Sequence, residues 1–249
     1  HYAIAWQAPP VAAKNKGKFK KEVERLVKLG VLEKDSDSPW AAPSFGIPKK
    51  NQAETISLTD SRQLNKRLVQ EPFPLPKINQ ILYEIDGMQW ASTINLKMGY
   101  YIICLDPDAQ RYCTLITPWG KYKYLRLPMG ISCAPDIFQD KMSDLVAHLE
   151  FARAYIDDIL ITQVSAAFKH HVSKVDAVLS RLSEAGFVVN VNKSHFALDQ
   201  IDYLGYWLTR DGIQPQHKKV EAIQRLEPPK TKCQLRKFLG MMNYYCHMW

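Results

Sequence analysis

The sequence predicts an α+β fold, and three observations carry that expectation. Strand-like and helix-like segments are mixed without the regular β-α-β alternation of a doubly wound parallel sheet. Several segments repeat apolar residues at helical spacing. One segment, AYIDDILI at 154–161, places two apolar arms around adjacent acids, the pattern of an antiparallel hairpin.

The elements follow in order. Pro9-Pro10 and the Lys14, Lys16, Lys18 run suggest a flexible lead-in. Phe19, Val23, Leu26 and Val27 then share one helix face, and Gly30 is a natural stop. Ala41 to Lys50 reads as a short strand and TISLTD (55–60) as its hairpin partner. Pro72, Pro74 and Pro76 force an extended connection, and Ile78 to Ile85 reads as a short helix. WASTINLKMGYYIICL (90–105) reads as a strand, a turn and a further apolar piece. Tyr122 to Leu127 is a strand closed by Pro128-Met129-Gly130. Phe138, Met142, Leu145, Val146 and Leu149 keep helical spacing, with Pro135 in the first turn. After the acidic hairpin comes a long helix with Phe168, Val172, Val175, Leu179 and Leu182 on one face. His170 and His171 on that helix are expected to be exposed and to hold no metal. FVVNV (187–191) and IDYLGYWLT (201–209) read as strands, and Asp211-Gly212 as a turn. Helices around 220–226 and 232–249 close the chain, the last with Leu235, Phe238, Leu239 and Met242 on one face.

At 249 residues the chain exceeds the roughly 100–150 of a usual core, so one large domain or two to three subdomains are expected. Hydrophobic residues at 46% and charged residues at 23% exclude a disordered tail, a collagen or a disulfide miniprotein. No apolar stretch reaches the ~18 residues that span a bilayer. The start HYAIAWQAPP lacks a basic beginning followed by an apolar stretch, so no signal peptide is expected in it, and without an initial Met the chain is expected to be a piece of a longer polypeptide. Lys+Arg 33 against Asp+Glu 25 gives a net charge of +8, suited to a polyanion such as nucleic acid. The five cysteines, Cys104, Cys113, Cys133, Cys233 and Cys246, form no CxxC pair. They read as reduced, mostly buried thiols of an intracellular protein, without zinc.

Asp157-Asp158 is the most informative pair. Neighbouring side chains on a strand point to opposite faces, but a hairpin turn breaks that alternation and lets both reach one pocket. An isolated Asp-Asp is usually a solvated turn. Here the apolar frame sets both charges against a buried sheet, where a divalent cation is a natural partner. Mg²⁺ takes one or two carboxylates plus substrate phosphates, and two such ions ~4 Å apart stabilise an in-line phosphoryl displacement. A third acid is expected on a neighbouring strand, in STINLKMGYY; the residue there is Asn95.

AYIDDILI resembles the YxDD box of reverse transcriptases. LPMGISCAPDIFQDKM (127–142) is similar to their LPxG…(S/A)PxxFQ segment and TDSRQLNKRL (59–68) to their (V/T)DFRxLNK segment. FPLPKI (73–78) and NLKMGYY (95–101) also match, and EPPKTKCQLRKFLGMMNYY (227–245) resembles the start of a thumb. The likeness is to gypsy-type LTR retrotransposon Pol polyproteins and runs from about Gln7 to Trp249. It implies a right-hand polymerase fold, with a ferredoxin-like palm and its antiparallel sheet. Fingers would cover 1–70 and 103–133, palm 71–102 and 134–209, and a partial thumb 210–249. It implies RNA- and DNA-directed DNA synthesis with two Mg²⁺, for which Mn²⁺ can substitute. Asp157 and Asp158 match two of three metal-binding aspartates, and Asn95 takes the place of the third. Tyr100 matches the residue under the incoming sugar; Met129 and Gly130 match the nucleotide pocket; Lys49 and Lys50 sit where lysines meet the triphosphate. Tyr203, Leu204 and Gly205 resemble the primer grip, and Lys232 and Arg236 would meet duplex phosphates, as Lys218, Lys219, Lys230 and Lys237 could. Implied partners are primed RNA or DNA template, deoxynucleoside triphosphates and flanking RNase H and other Pol domains, with no membrane. The implied location is cytoplasm or virus-like particle, with a nuclear phase.

Three departures from the family bear on activity. Asn95 keeps the shape of Asp but loses the charge. At an effective dielectric near 20, a unit charge at ~4 Å is worth about 4 kcal/mol, about a thousandfold in rate. Ile56 stands where the family has an arginine on the triphosphate, and offers no bidentate contact. Ser61 replaces an aromatic residue, which is expected to loosen the hairpin before it. Together they suggest a decayed copy with a persisting fold and impaired polymerisation. The alternatives are a catalytically dead primer-template-binding module, a non-catalytic structural protein, and an RNA-directed RNA polymerase, the last opposed by Tyr100.

Overall fold

The computed structural model describes residues 13–48, 55–69, 73–76, 78, 81, 85, 87–225 and 227–245. The chain divides into two compact units, His1–Pro74 with Met98–Lys141 and Leu75–Lys97 with Met142–Trp249. Strand β4 (Trp90–Lys97), between the two segments of the first unit, belongs to the second.

The first unit opens on α1 (Ala13–Lys28), which takes up the lysines expected in a flexible lead-in. Lysine is a good helix former, and Lys16 and Lys18 lie on the exposed side. Phe19, Val23 and Leu26 are buried as expected, but Val27 lies 39% exposed at the stripe's edge. A Schellman cap ends the helix: Val31 N–H donates to Leu26 O and Gly30 N–H to Val27 O, with Gly30 at φ +65. Then follow β1 (Leu32–Lys34), β2 (Ala42–Pro48), β3 (Thr55–Thr59) and the single helical turn α2 (Arg62–Asn65). After β4 come α3 (Pro107–Gln110), β5 (Thr114–Thr117), β6 (Gly120–Tyr124) and α4 (Ala134–Val146). The sheet runs β1-β6-β5-β2-β3, with only β2 and β5 parallel. Its core joins Phe19, Val23 and Leu26 to Leu32, Leu115, Tyr124, Leu127 and Ile131.

In the second unit β4 is a central strand. With β7 (Ala152–Tyr155), β8 (Asp158–Gln163) and β10 (His195–Leu198) it forms an antiparallel sheet ordered β10-β4-β8-β7. The two-residue strand β9 (Val188–Val189) continues along β4 past β10. Only this part of FVVNV is strand; Val191–Lys193 forms a 3-10 turn. Helix α5 (Phe168–Glu184) packs on β4 and β8. Its fully buried residues are His171, Val178 and Leu182, so the apolar face is rotated from the expected one. Phe168 and Val172 are 51% and 48% exposed, and the Phe168 ring meets Trp90 edge-on at 5.5 Å. His171, expected to be exposed, is buried because the Ser92 hydroxyl gives its ring a polar partner.

Residues 201–209 form a hairpin rather than one strand. β11 (Ile201–Tyr203) and β12 (Tyr206–Thr209) turn at Leu204-Gly205, both at positive φ, the pattern of a tight hairpin turn. β13 (Gly212–Pro215) completes that sheet, and α6 (His217–Gln224) and α7 (Lys232–Tyr245) close the chain. The core here joins Met88, Ala91 and Leu160 to Ile201, Tyr203, Tyr206 and Leu208. Leu235 and Leu239 on α7 are 45% and 49% exposed. Most of the helix expected over 78–85 lies outside the described residues. Four described cysteines are free thiols, and they are not mostly buried: Cys113 is buried, Cys133 half-buried, Cys104 and Cys233 exposed. No helix among the described residues is long and apolar enough to cross a membrane.

Candidate active site

The acidic pair sits where β7 turns into β8. Tyr155 and Asp158 are the last cross-strand partners, so Ile156 and Asp157 are the turn. Ile156 has φ +51, a conformation rare for a β-branched residue. Strain of this kind, of order 1–3 kcal/mol, persists only where surrounding structure fixes it. Here the Leu96 N–H donates to the Asp157 carbonyl at 2.9 Å, tying the turn to β4. Asp158 opens β8 directly opposite Asn95 in the β4–β8 register.

That register decides the chemistry. Asn95 Nδ2 donates to Asp158 Oδ1 at 2.6 Å. An ionised carboxylate only accepts, so the amide nitrogen must face it. The Asn95 main chain is held separately. Its N–H donates to Ser194 Oγ at 3.0 Å, its carbonyl accepts from the Asn190 N–H at 2.8 Å, and Ser194 Oγ donates to the Asn190 carbonyl at 2.9 Å. The 3-10 turn after β9 thus braces residue 95 in the gap between β9 and β10.

Asp157 is in a different electrostatic state. Its Oδ1 is buried without a hydrogen-bond partner. Burial first, and then the neighbouring Asp158 charge, push its pKa up to about 6, while Lys193 pulls it down. A buried, unpartnered carboxylate oxygen beside a second carboxylate is a donor set that a divalent cation would satisfy. The two acids therefore fit one ion. At the third position the neutral amide directs an N–H toward Asp158, and no cluster of three His, Cys, Asp or Glu that could hold a metal occurs among the described residues.

The reverse transcriptase (RNA-dependent DNA polymerase) family matches residues 47–208. The chain belongs to that family. Like the gypsy-type elements that its motifs resemble, it is similar to Pol polyproteins of transposons. It is 33% identical to that of transposon opus of Drosophila melanogaster, over 95% of this chain and 24% of the relative. The transposon gypsy polyprotein of the same organism is 30% identical over 90% of this chain and 22% of the relative. The enzymatic polyprotein of Cestrum yellow leaf curling virus is 33% identical over 94% and 37%. The chain thus spans about a quarter to a third of the length of these curated relatives. Among solved structures it matches the foamy viral protease-reverse transcriptase in complex with RNA/DNA hybrid. There the TM-score is 0.82 at 24% identity, over 96% of this chain and 32% of that one. The dRH form in complex with double-stranded DNA gives a TM-score of 0.86 at 24% identity, over 96% and 42%. The expected α+β polymerase fold is therefore present.

Of the other residues that the resemblance implies, some lie in each unit. In the first, Tyr100 lies on the 3-10 turn Gly99–Ile102, half-buried, its ring stacked on Phe138 at 4.8 Å. Met129 and Gly130 line a cleft of about 360 Å³ with Phe45, Asp60, Arg62 and Asn65. Asn65 shapes this loop from both ends: its Nδ2 donates to the Gly130 carbonyl at 2.9 Å and its Oδ1 accepts the Ser132 N–H at 3.0 Å. Gly130 has φ +100, and a Cβ there would lie 3.6 Å from the Thr59 carbonyl. Arg62 and Asp60 form a two-point ion pair, at 2.8 and 2.6 Å. Sequence reasoning missed Phe45, Arg62 and Asn65 as cleft residues, although TDSRQLNK holds two of them. Ile56 lies on β3 opposite Ile47. Lys49 and Lys50 lie outside the described residues.

In the second unit, Tyr203 is 2% exposed. Its hydroxyl donates to the Asp158 main-chain carbonyl at 3.4 Å. Its side chain thus supports the acidic hairpin from below, and the half-buried Leu204-Gly205 turn is the more open part of the expected primer grip. Lys232 and Arg236 are exposed on α7.

Proposed function

We propose that this chain is the polymerase domain of a retrotransposon Pol polyprotein, shaped for RNA- and DNA-directed DNA synthesis, and that its catalytic step is strongly impaired. The Asn95–Asp158 hydrogen bond carries this reading. It puts a donor where the resemblance expects a third carboxylate. Asp157 and Asp158 would hold Mg²⁺. When bound, the ion would neutralise phosphate charge and lower the pKa of the attacking hydroxyl. This chain's own contribution is positional. Ser194 and Asn190 fix the main chain of residue 95, and Tyr203 supports Asp158. Tyr100 would meet the sugar of an incoming nucleotide, and Gly130 keeps the cleft rim free of a side chain. Primer-template would lie along Leu204, Gly205, Lys232 and Arg236; the foamy viral proteins of the same fold are themselves in complex with RNA/DNA hybrid and double-stranded DNA. Losing one carboxylate charge of about 4 kcal/mol at a shared cation site amounts to about a thousandfold in rate.

Primer extension on an RNA template tests this, with the chain beside Asn95→Asp and the Asn95→Asp, Ile56→Arg double variant. Extension by the variants at least a hundredfold above the parent is expected. Equal extension by all three refutes the assignment of position 95. Asn95 also favours a second reading, a primer-template-binding module without chemistry. For that reading, gel-shift binding persists while neither variant extends.

A further inference from the structure

The Ser92–His171 pair takes no part in the chemistry above, yet both side chains are fully buried. Ser92 Oγ and His171 Nε2 are 2.7 Å apart. The same Oγ accepts the Ala197 N–H at 2.9 Å. Ala197 has φ +50 and lies in the register shift of β10 between His195 and Leu198. One hydroxyl on the central strand β4 therefore ties down both the helix α5 and the bulge in the edge strand β10. A bulge leaves local ladder groups unpaired, so this side-chain contact supplies a partner that the ladder does not.

His171 Nδ1 is buried with no partner. The pocket thus satisfies one ring nitrogen, which suits a neutral imidazole. A second proton would add another N–H without an acceptor and place a charge out of water. Burial, and then Lys174 one turn along α5, hold the His171 pKa below the usual histidine range. Lys174 is itself directed to the Thr162 carbonyl at 3.4 Å and over the Phe151 ring. Of the elements packed against α5, β10 begins with the exposed His195. Strands β4 and β8 carry Lys97 and Asp158 only beyond the Ser92–Ile161 register. Among the described residues of β4, β8 and β10, the only carboxylate is that of Asp158, beyond that register.

We propose that Ser92 and His171 form an acid-released clasp, in which protonation of His171 frees α5 and the β10 bulge from β4. The sign follows from the depressed folded-state pKa. The stabilisation is complete above the unfolded histidine value near 6.5 and is lost as pH falls through the lower folded value. The looser state would reach the strand that carries Asn95, three residues further on.

The test is made on the full chain by NMR between about pH 7.5 and 5, the range in which histidine titrates. It follows the His171 imidazole and the exchange of the Ala197 amide, corrected for the intrinsic pH dependence of exchange. Ala197 protection is expected to fall below about pH 6.5, by up to about tenfold per pH unit, the limit for one proton. His171→Gln, which can bond Ser92 but does not titrate, is expected to stay flat. Parallel loss in the parent and His171→Gln overturns the proposal. Should that variant not fold, the parent alone decides. Ala197 protection that falls below about pH 6.5 while the imidazole is still neutral, and levels off once it titrates, supports the clasp. Protection that stays flat over this range, or begins to fall only below the imidazole midpoint, refutes it.

Discussion

Across the β4–β8 register, Asn95 satisfies Asp158 through a donor that a carboxylate would lack. The amide at position 95 therefore stabilises the acidic hairpin without a cation. Asn95→Asp replaces a charge-assisted hydrogen bond, worth about 1.5–3 kcal/mol, with a like-charge contact. Without divalent cation, that variant is expected to melt below the parent by several degrees. Adding Mn²⁺ or Mg²⁺ is expected to raise its melting temperature more than the parent's, because ligand binding stabilises the folded state by mass action. Thermal shift with and without the metal measures this directly, and equal shifts in both chains would show that position 95 does not face the ion. The hairpin turn at Asp157 and Asp158 was legible at this scale, because two apolar arms flank the adjacent acids. The strain at Ile156 and the pairing of Asn95 with Asp158 were not, because backbone dihedrals and cross-strand register have no local sequence signature.

At the scale of elements, Ser61 follows the β2–β3 hairpin directly. It is 7% exposed at the N-terminus of α2 and lines a cavity of about 60 Å³ with Trp40, Tyr112 and Tyr124. The resemblance expects an aromatic ring at this position. Ser61→Phe is expected to fill the space and add about 1–2 kcal/mol, the scale for burying much of a ring. Urea denaturation checks it, and a loss of stability would mean that the cavity does not accept the ring. The helix expectations show where periodicity suffices. In α1, Phe19, Val23 and Leu26 gave the buried face directly because each is large and apolar. In α5 the same reasoning rotated the face, because the buried stripe includes a histidine. A buried polar residue becomes interpretable only when its partner is known, and Ser92 is 79 residues away.

At the scale of the whole molecule, the net charge of +8 bears on nucleic-acid affinity rather than fold. Binding of a primer-template duplex is expected to weaken steeply with salt, the logarithm of affinity falling by about 0.9 per phosphate contact against the logarithm of salt concentration. Lys232→Ala with Arg236→Ala is expected to lower that slope by close to two contacts while the fold persists, since both side chains are exposed. A salt titration by fluorescence anisotropy reads the slope, and an unchanged value would remove α7 from the interface. By itself the sequence determined the α+β class, most elements, the acidic hairpin and the family likeness, because these rest on short-range periodicity and contiguous motifs. Only the tertiary structure decided that two compact units share the chain, that Asn95 faces Asp158 across β4 and β8, and that Tyr203 lies beneath the acids. It alone paired Ser92 with His171. Each of these depends on which distant segments become neighbours, and that is fixed by burial and register summed over the fold rather than by any local run of residues.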